Sequence, residues 1–277
     1  MRKFRRKQKI TRLIRNVIVI ATAILLFFLI GFEGAIYDSG AHALALGLHY
    51  AGEVLVVVSL ALVLYYSSKY AKSDTFLTNV EYELSDCGYY CSKRMESSVD
   101  AMCRAIRDDL IENAYSVSEN LELTELDFAL RATKRNEFMY VVTTNSLDKN
   151  DIIAHLDSVV YDLTAALMRR AGNAVLVFVC DKADDEAIAL SKSITVMGRK
   201  DKLRIALAIA EVSTGRVYFL GNNPTKTQQM VAEYVMKTEL PIADSLKGER
   251  LPYQDALEEH MKDFDLNEYR KGTFFSH

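Results

Sequence analysis

Histidine is scarce in this 277-residue chain, with five in all, and past residue 66 only His155, His260 and His277 remain. Neither His155 nor His260 stands in an HExxH pattern, which argues against a histidine-rich metallohydrolase. No GxxxxGK[ST] occurs, so a Walker-type phosphate loop is excluded, and Gly215 and Gly221 do not make GxGxxG. No GxSxG and no neighbouring Cys-His pair supports a covalent nucleophile. The four cysteines, Cys87, Cys91, Cys103 and Cys180, lack the tight spacing and fourth ligand of a structural zinc site. They are expected to be reduced thiols, mostly on buried helix faces.

Charge is missing from residues 17–32, VIVIATAILLFFLIGF, and that absence organises the chain. With Leu13, Ile14 and Asn16 the run reaches the length of about 20 residues that crosses a hydrocarbon core. Ahead of it stand eight bases, Arg2, Lys3, Arg5, Arg6, Lys7, Lys9, Arg12 and Arg15, with no acid; beyond it come Glu33 and Asp38 with no base. The positive-inside rule then puts the leader in the cytoplasm. Ala-His-Ala at 41–43 imitates a signal-peptide cleavage site, but the apolar run is longer than a signal h-region and the site lies well past its end.

A second apolar run, 42–66, ends in Tyr65-Tyr66 and is followed by Lys69 and Lys72, as a returning span would be. Two spans make a hairpin in an inner (plasma) membrane with the remainder of the chain cytoplasmic. Glu53 is expected near the outer end of the second span, where its head can snorkel to the interface. Gly47 and Gly52 are expected to let the two helices approach closely.

Setting aside Glu33, Asp38 and Glu53 from the 37 acids, and the leader's bases from the 34 Lys and Arg, leaves an acidic excess beyond residue 66. An acidic domain argues against nucleic acid as a partner, and the leader is better matched to anionic lipid.

From 74 to 113 there is no proline and a single glycine, Gly88, and apolar residues recur in steps of three and four. That periodicity predicts one long juxtamembrane helix with Asp74 as a candidate N-cap. A short helix is expected at 121–131. Strands follow at 137–144 and 173–180, with helices at 148–170 and 184–197. A hairpin at 203–211 and 216–220 turns through Val-Ser-Thr-Gly, and helices follow from Asn223-Pro224 to 238 and from Pro252 to 269. The terminal tail is expected to dock through Phe274 and Phe275.

The expected architecture is therefore α/β with an N-terminal transmembrane helical hairpin, and a small three-layer mixed sheet, β-α-β-α-β-β-α, preceded by the long helix. Its parts are a basic leader at 1–16, the hairpin at 17–66, a juxtamembrane helical segment at 67–131 and the cytosolic α/β domain at 132–277.

Ligands of open α/β sheets collect beyond the carboxyl ends of the parallel strands. Three loops are expected to meet there. The first is Thr143, Thr144, Asn145 and Ser146. The second is the acidic group Asp181, Asp184, Asp185 and Glu186, whose first three members suit Mg²⁺ or, for Asp184, simple helix capping. The third, Asn222, Asn223, Thr225, Lys226 and Thr227, is a candidate anion site at a helix N-terminus, set against the plainer reading of a turn followed by a Pro at the first helical position. The function expected is a membrane-anchored module that binds a protein partner or a small anionic ligand in a signalling, regulatory or scaffold role. The alternative is a membrane-tethered, metal-dependent phosphoryl-transfer or nucleotide-hydrolysing enzyme.

Overall fold

The computed structural model describes residues 1–165, 171–197 and 203–271, and only the backbone at Glu33, Lys72, Thr75 and Lys271. The chain forms two compact units, Met1–Thr78 with Glu259–His277, and Asn79–Glu258.

In the first unit, α1 (Arg2–Asp38) and α2 (His42–Tyr66) are antiparallel, and both are long and apolar enough to cross a membrane. Their packing has a seven-residue period. Ala45, Gly52, Ser59 and Tyr66 are the buried residues of α2, and Thr22 and Leu29 hold matching positions on α1. That is the period of left-handed helix packing. Thr22 and Ser59 share a hydrogen bond of 2.7 Å. A Cβ at Gly52 would come within 2.8 Å of Leu29 Cδ1, so the close approach depends on glycine there. Gly47 meets nothing and does not share this role.

A π-turn, Ser67–Ala71, carries α2 into α3 (Lys72–Ser85), so Asp74 is no N-cap but lies within a nearly continuous helix. Its carboxylate holds Arg5, 2.5 Å away, and Arg12, and it accepts from the Tyr66 hydroxyl at 3.2 Å. Two leader bases are thus spent on internal ion pairs. The π-turn frees backbone carbonyls, and Arg270 on α9 (Leu266–Lys271) donates to those of Ser68 (2.6 Å) and Lys69 (2.9 Å). Phe76 stacks on Tyr269 at 4.9 Å.

The predicted long helix over 74–113 is not formed. α3 ends at Ser85, a two-residue strand β1 (Tyr90–Cys91) follows, and α4 (Val99–Glu112) starts at the N-cap Ser98. Two tertiary contacts break the helix. A Cβ at Gly88 would lie 2.1 Å from the Glu249 carbonyl, and Asp86 is drawn into the interior by Lys192, Tyr90 and the Gly221 N–H. Cys91 is consequently exposed on a strand, not buried on a helix; Cys87 and Cys103 are half-buried and Cys180 buried.

The expected helix at 121–131 is a β-hairpin of β2 (Ser116–Leu123) and β3 (Leu126–Lys134). Its turn residues, Thr124 and Glu125, have φ of 48° and 65°, the left-handed pair that two-residue hairpins require. Phe128, Leu130 and Ala132 point inward with period two.

β4 (Glu137–Leu147) and β5 (Gly172–Ala183) are joined by α5 (Lys149–Thr164), as anticipated, with residues 166–170 of the predicted helix outside the described residues. α6 (Asp185–Ser191) is shorter than expected, because Ile194–Met197 forms β6, antiparallel to β7 (Leu203–Glu211). β7 turns into β8 (Arg216–Tyr218). α7 (Lys226–Met230) starts later than Asn223-Pro224 and widens into a π-turn over Val231–Val235. The single helix expected from Pro252 is two, α8 (Pro252–Lys262) and α9. Phe274 and Phe275 lie outside the described residues.

The result is an eight-stranded open mixed sheet, β1-β8-β7-β5-β4-β3-β2, with β6 also on β7. β4, β5 and β7 are parallel and the rest antiparallel. Side chains alternate between two cores. Phe138, Tyr140 and Val142 pack with α5 and α6, while Met139 and Val141 pack with α4, α7 and its π-turn. The three layers are those expected; the hairpin β2–β3, β1 and β6 are additions to the expected strand order.

Candidate functional site

The three expected loops do not converge. Because β8 runs back antiparallel to β7, the chain after it emerges at the amino ends of the parallel strands, where Lys226 pairs with Glu137, the first residue of β4, at 3.3 Å. Asp181, Asp184 and Asp185 lie at the opposite, carboxyl ends. Eleven residues of β4 at about 3.3 Å each separate the two. The shared pocket of carboxylates and Lys226 is therefore corrected.

Each expected group is also engaged in local structure. Asn222 Nδ2 donates to the Tyr82 carbonyl (2.8 Å) and to Ser85 Oγ (2.7 Å). The hydroxyls of Thr225 and Thr227 both bond to Gln228 Oε1, and the Asn223 carbonyl accepts from Thr225 N–H at 2.7 Å. Asp184 caps α6, accepting from Ala187 N–H at 2.6 Å, while Asp181 and Asp185 are exposed. Among the described residues no group of three or more His, Cys, Asp or Glu is placed to hold a metal ion. Thr143, Thr144, Asn145 and Ser146 are not in a loop, since β4 continues to Leu147 and still pairs with β5 at Thr143, Thr144, Ser146 and Leu147. His155 sits at the rim of its core, edge-on to Phe128 and Phe178.

The carboxyl ends carry a different set of residues, brought there by segments the periodicity hid. A small cleft lies between the β7–β8 turn and the stretch that links β1 to α4, lined by Arg94, Met95, Glu96, Glu211 and Arg216. Glu211 ends β7 and is nearly buried. Its carboxylate accepts from Ala183 N–H (3.3 Å), Thr214 Oγ1 (2.5 Å) and the Tyr218 hydroxyl (3.4 Å), tying the turn to the end of β5. The neighbouring Tyr218 hydroxyl holds the Arg216 guanidinium above its ordinary range, and Arg216 lies 4.3 Å over the Tyr89 ring.

Arg94 is 8% exposed, pairs with Asp109, and keeps a buried Nε without a hydrogen-bond partner. Burial lowers its pKa and the charge of Glu96 opposes that shift. Lys237 shares Asp109 at 2.5 Å. Met95 stands 76% exposed beside Gly215. Cys180, behind the cleft on β5, is no nucleophile: burial first, then the charges of Glu211 and Asp181, push its thiol up to about 12. Both cationic and anionic groups line the cleft, and Met95 adds an exposed apolar side chain to it.

Comparison with protein-family models, curated proteins and solved structures found no match to this chain.

Proposed function

We propose that the protein is an inner-membrane-anchored scaffold or regulatory module. In this reading α1 and α2 cross the bilayer as a hairpin, the leader bases other than Arg5 and Arg12 face anionic lipid on the cytoplasmic side, and the Asn79–Glu258 unit is cytoplasmic. Support for the anchor comes from two apolar helices whose side chains face outward along most of their length, from the bases in the first turns of α1, ahead of its apolar run, and from their absence between the two helices. Native Cys91, exposed on β1, reports the orientation. A membrane-impermeant maleimide is expected to label it in inverted vesicles only, and labelling of intact cells from outside would overturn the topology.

The single observation that favours a protein partner is the mixed-charge cleft with exposed Met95 between Arg94 and Arg216. A photo-crosslinking residue in place of Met95, in the full chain in its membrane, is expected to yield an adduct with another polypeptide that Arg216→Glu removes. No adduct, with thermal stabilisation by phosphate or nucleotide instead, would favour the small anionic ligand.

A further inference from the structure

We propose that α9 is a strap that holds the π-turn between α2 and α3, and that its docking or release switches the direction in which α3 presents Asp74 to the leader end of α1.

A plain α-helix is the default path from α2 into α3, because a π-turn carries one residue more than its neighbours and leaves backbone carbonyls without their usual partners. Here three successive carbonyls of the turn, those of Ser68, Lys69 and Tyr70, each take a donor from elsewhere in the first unit. Arg270 donates to Ser68 (2.6 Å) and Lys69 (2.9 Å), and the fully buried Gln8 donates to Tyr70 (3.2 Å). The turn is gripped from two sides, by the leader and by α9. Gln8 is itself fixed, since its Oε1 accepts from Arg5 at 2.7 Å.

The grip of Arg270 is the releasable one. α9 has six residues, too few to stay helical in isolation, so its order comes from what it docks on. Tyr269 stacks on Phe76 of α3 at 4.9 Å, and Phe264, just ahead of α9, meets both Phe76 (6.4 Å) and Phe4 of the leader (5.4 Å). Docked and helical, or released and disordered, are its two states.

The extra residue of the turn sets the phase of what lies beyond it. If the helix drops that residue, the stretch from Lys72 to Thr78 turns by about 100°, one residue's share of a helical turn. Asp74 then leaves Arg5 and Arg12, and Thr78 leaves the Arg5 guanidinium that donates to it. Arg270 and Asp74 hold different groups, and the turn couples them. All of these contacts lie within the first unit and none requires that α1 and α2 cross a bilayer.

Carbodiimide joins a carboxylate to an amine in direct contact. In the Arg12→Lys chain, full length and in micelles, it is expected to form an amide between positions 12 and 74, read by peptide mass spectrometry. The amide between Lys149 and Glu186, 3.1 Å apart in the other unit, is the internal reference. Arg270→Ala and Tyr269→Ala, each added to that chain, are expected to cut the 12–74 yield by about fivefold or more against the reference, and Arg270→Lys to keep it within about twofold. A yield indifferent to the α9 variants overturns the proposal, because the turn then keeps its phase without the strap. Loss of both amides together also overturns it, by showing that α9 only holds the fold. No 12–74 amide in the Arg12→Lys chain itself removes the contact that the strap is proposed to control.

Discussion

Lys192 and Asp86 form an ion pair, 3.1 Å between Nζ and Oδ2, in which neither side chain keeps more than 1% of its surface exposed. The pair is fully equipped with hydrogen bonds. Lys192 also donates to the Cys87 carbonyl (2.9 Å), and Asp86 accepts from the Tyr90 hydroxyl and from Gly221 N–H (3.1 Å). It sits where the outer edge of β7 changes partner from β8 to β6, and it holds the segment after α3 to both.

Removing one partner strands the other's charge. Lys192→Met or Asp86→Ala is expected to cost about 3–5 kcal/mol, and the double variant Asp86→Asn with Lys192→Met less than the sum of the singles. Denaturant unfolding of the full chain in micelles measures this; additive losses would show that the two charges act independently.

Beside that pair, Glu83 titrates near neutrality. Burial, and then the Asp86 charge, push its carboxyl up to about 7, with Lys192 opposing. Its folded pKa thus exceeds the unfolded value, so the folded state binds the extra proton. Stability is full below the unfolded pKa and falls as pH rises from about 4.5 through 7. Glu83→Gln is expected to raise stability at pH 8 by on the order of 2 kcal/mol and to change little at pH 4. A gain equal at both pH values would contradict the assignment.

Glu125 occupies the second turn position of the β2–β3 hairpin at φ 65°. Glycine adopts that conformation without the strain a Cβ brings. Glu125→Gly is expected to stabilise the protein by about 0.5–1 kcal/mol, read as a higher melting temperature. Thr124 is a poorer choice, because its hydroxyl donates to Ser158.

Asp74 neutralises Arg5, which is almost fully buried, together with Arg12. Asp74→Ala is expected to lower the stability of the hairpin unit by about 3 kcal/mol. Protease sensitivity of the segment around Arg5 and Arg12 would report it, and unchanged cleavage would show the contact to be dispensable.

The long apolar runs, the strands at 137 and 173 and the 203–220 hairpin were legible because each is a local pattern: an uncharged run, an alternation or a short turn between two β-rich stretches. The 74–113 helix misled because Cys87, Cys91 and Met95 happen to fall in phase with a helix. What breaks it, the Glu249 backbone against Gly88 and Lys192 reaching Asp86, comes from residues far along the chain. The β2–β3 turn carries neither Asn nor Gly at Thr124-Glu125, so its usual signal is missing.

For the candidate site the divide is the same. The amino-acid sequence by itself determined the two apolar helices, their charge asymmetry and a three-layer α/β core, since these follow from hydropathy and periodicity within short windows. Only the tertiary structure decided which loops meet. The antiparallel return of β8 sent Lys226 to the far end of the sheet from Asp181, and gathered Arg94, Met95 and Arg216 at the carboxyl ends of the parallel strands. Strand direction is set by pairing between distant segments, and no local window contains it.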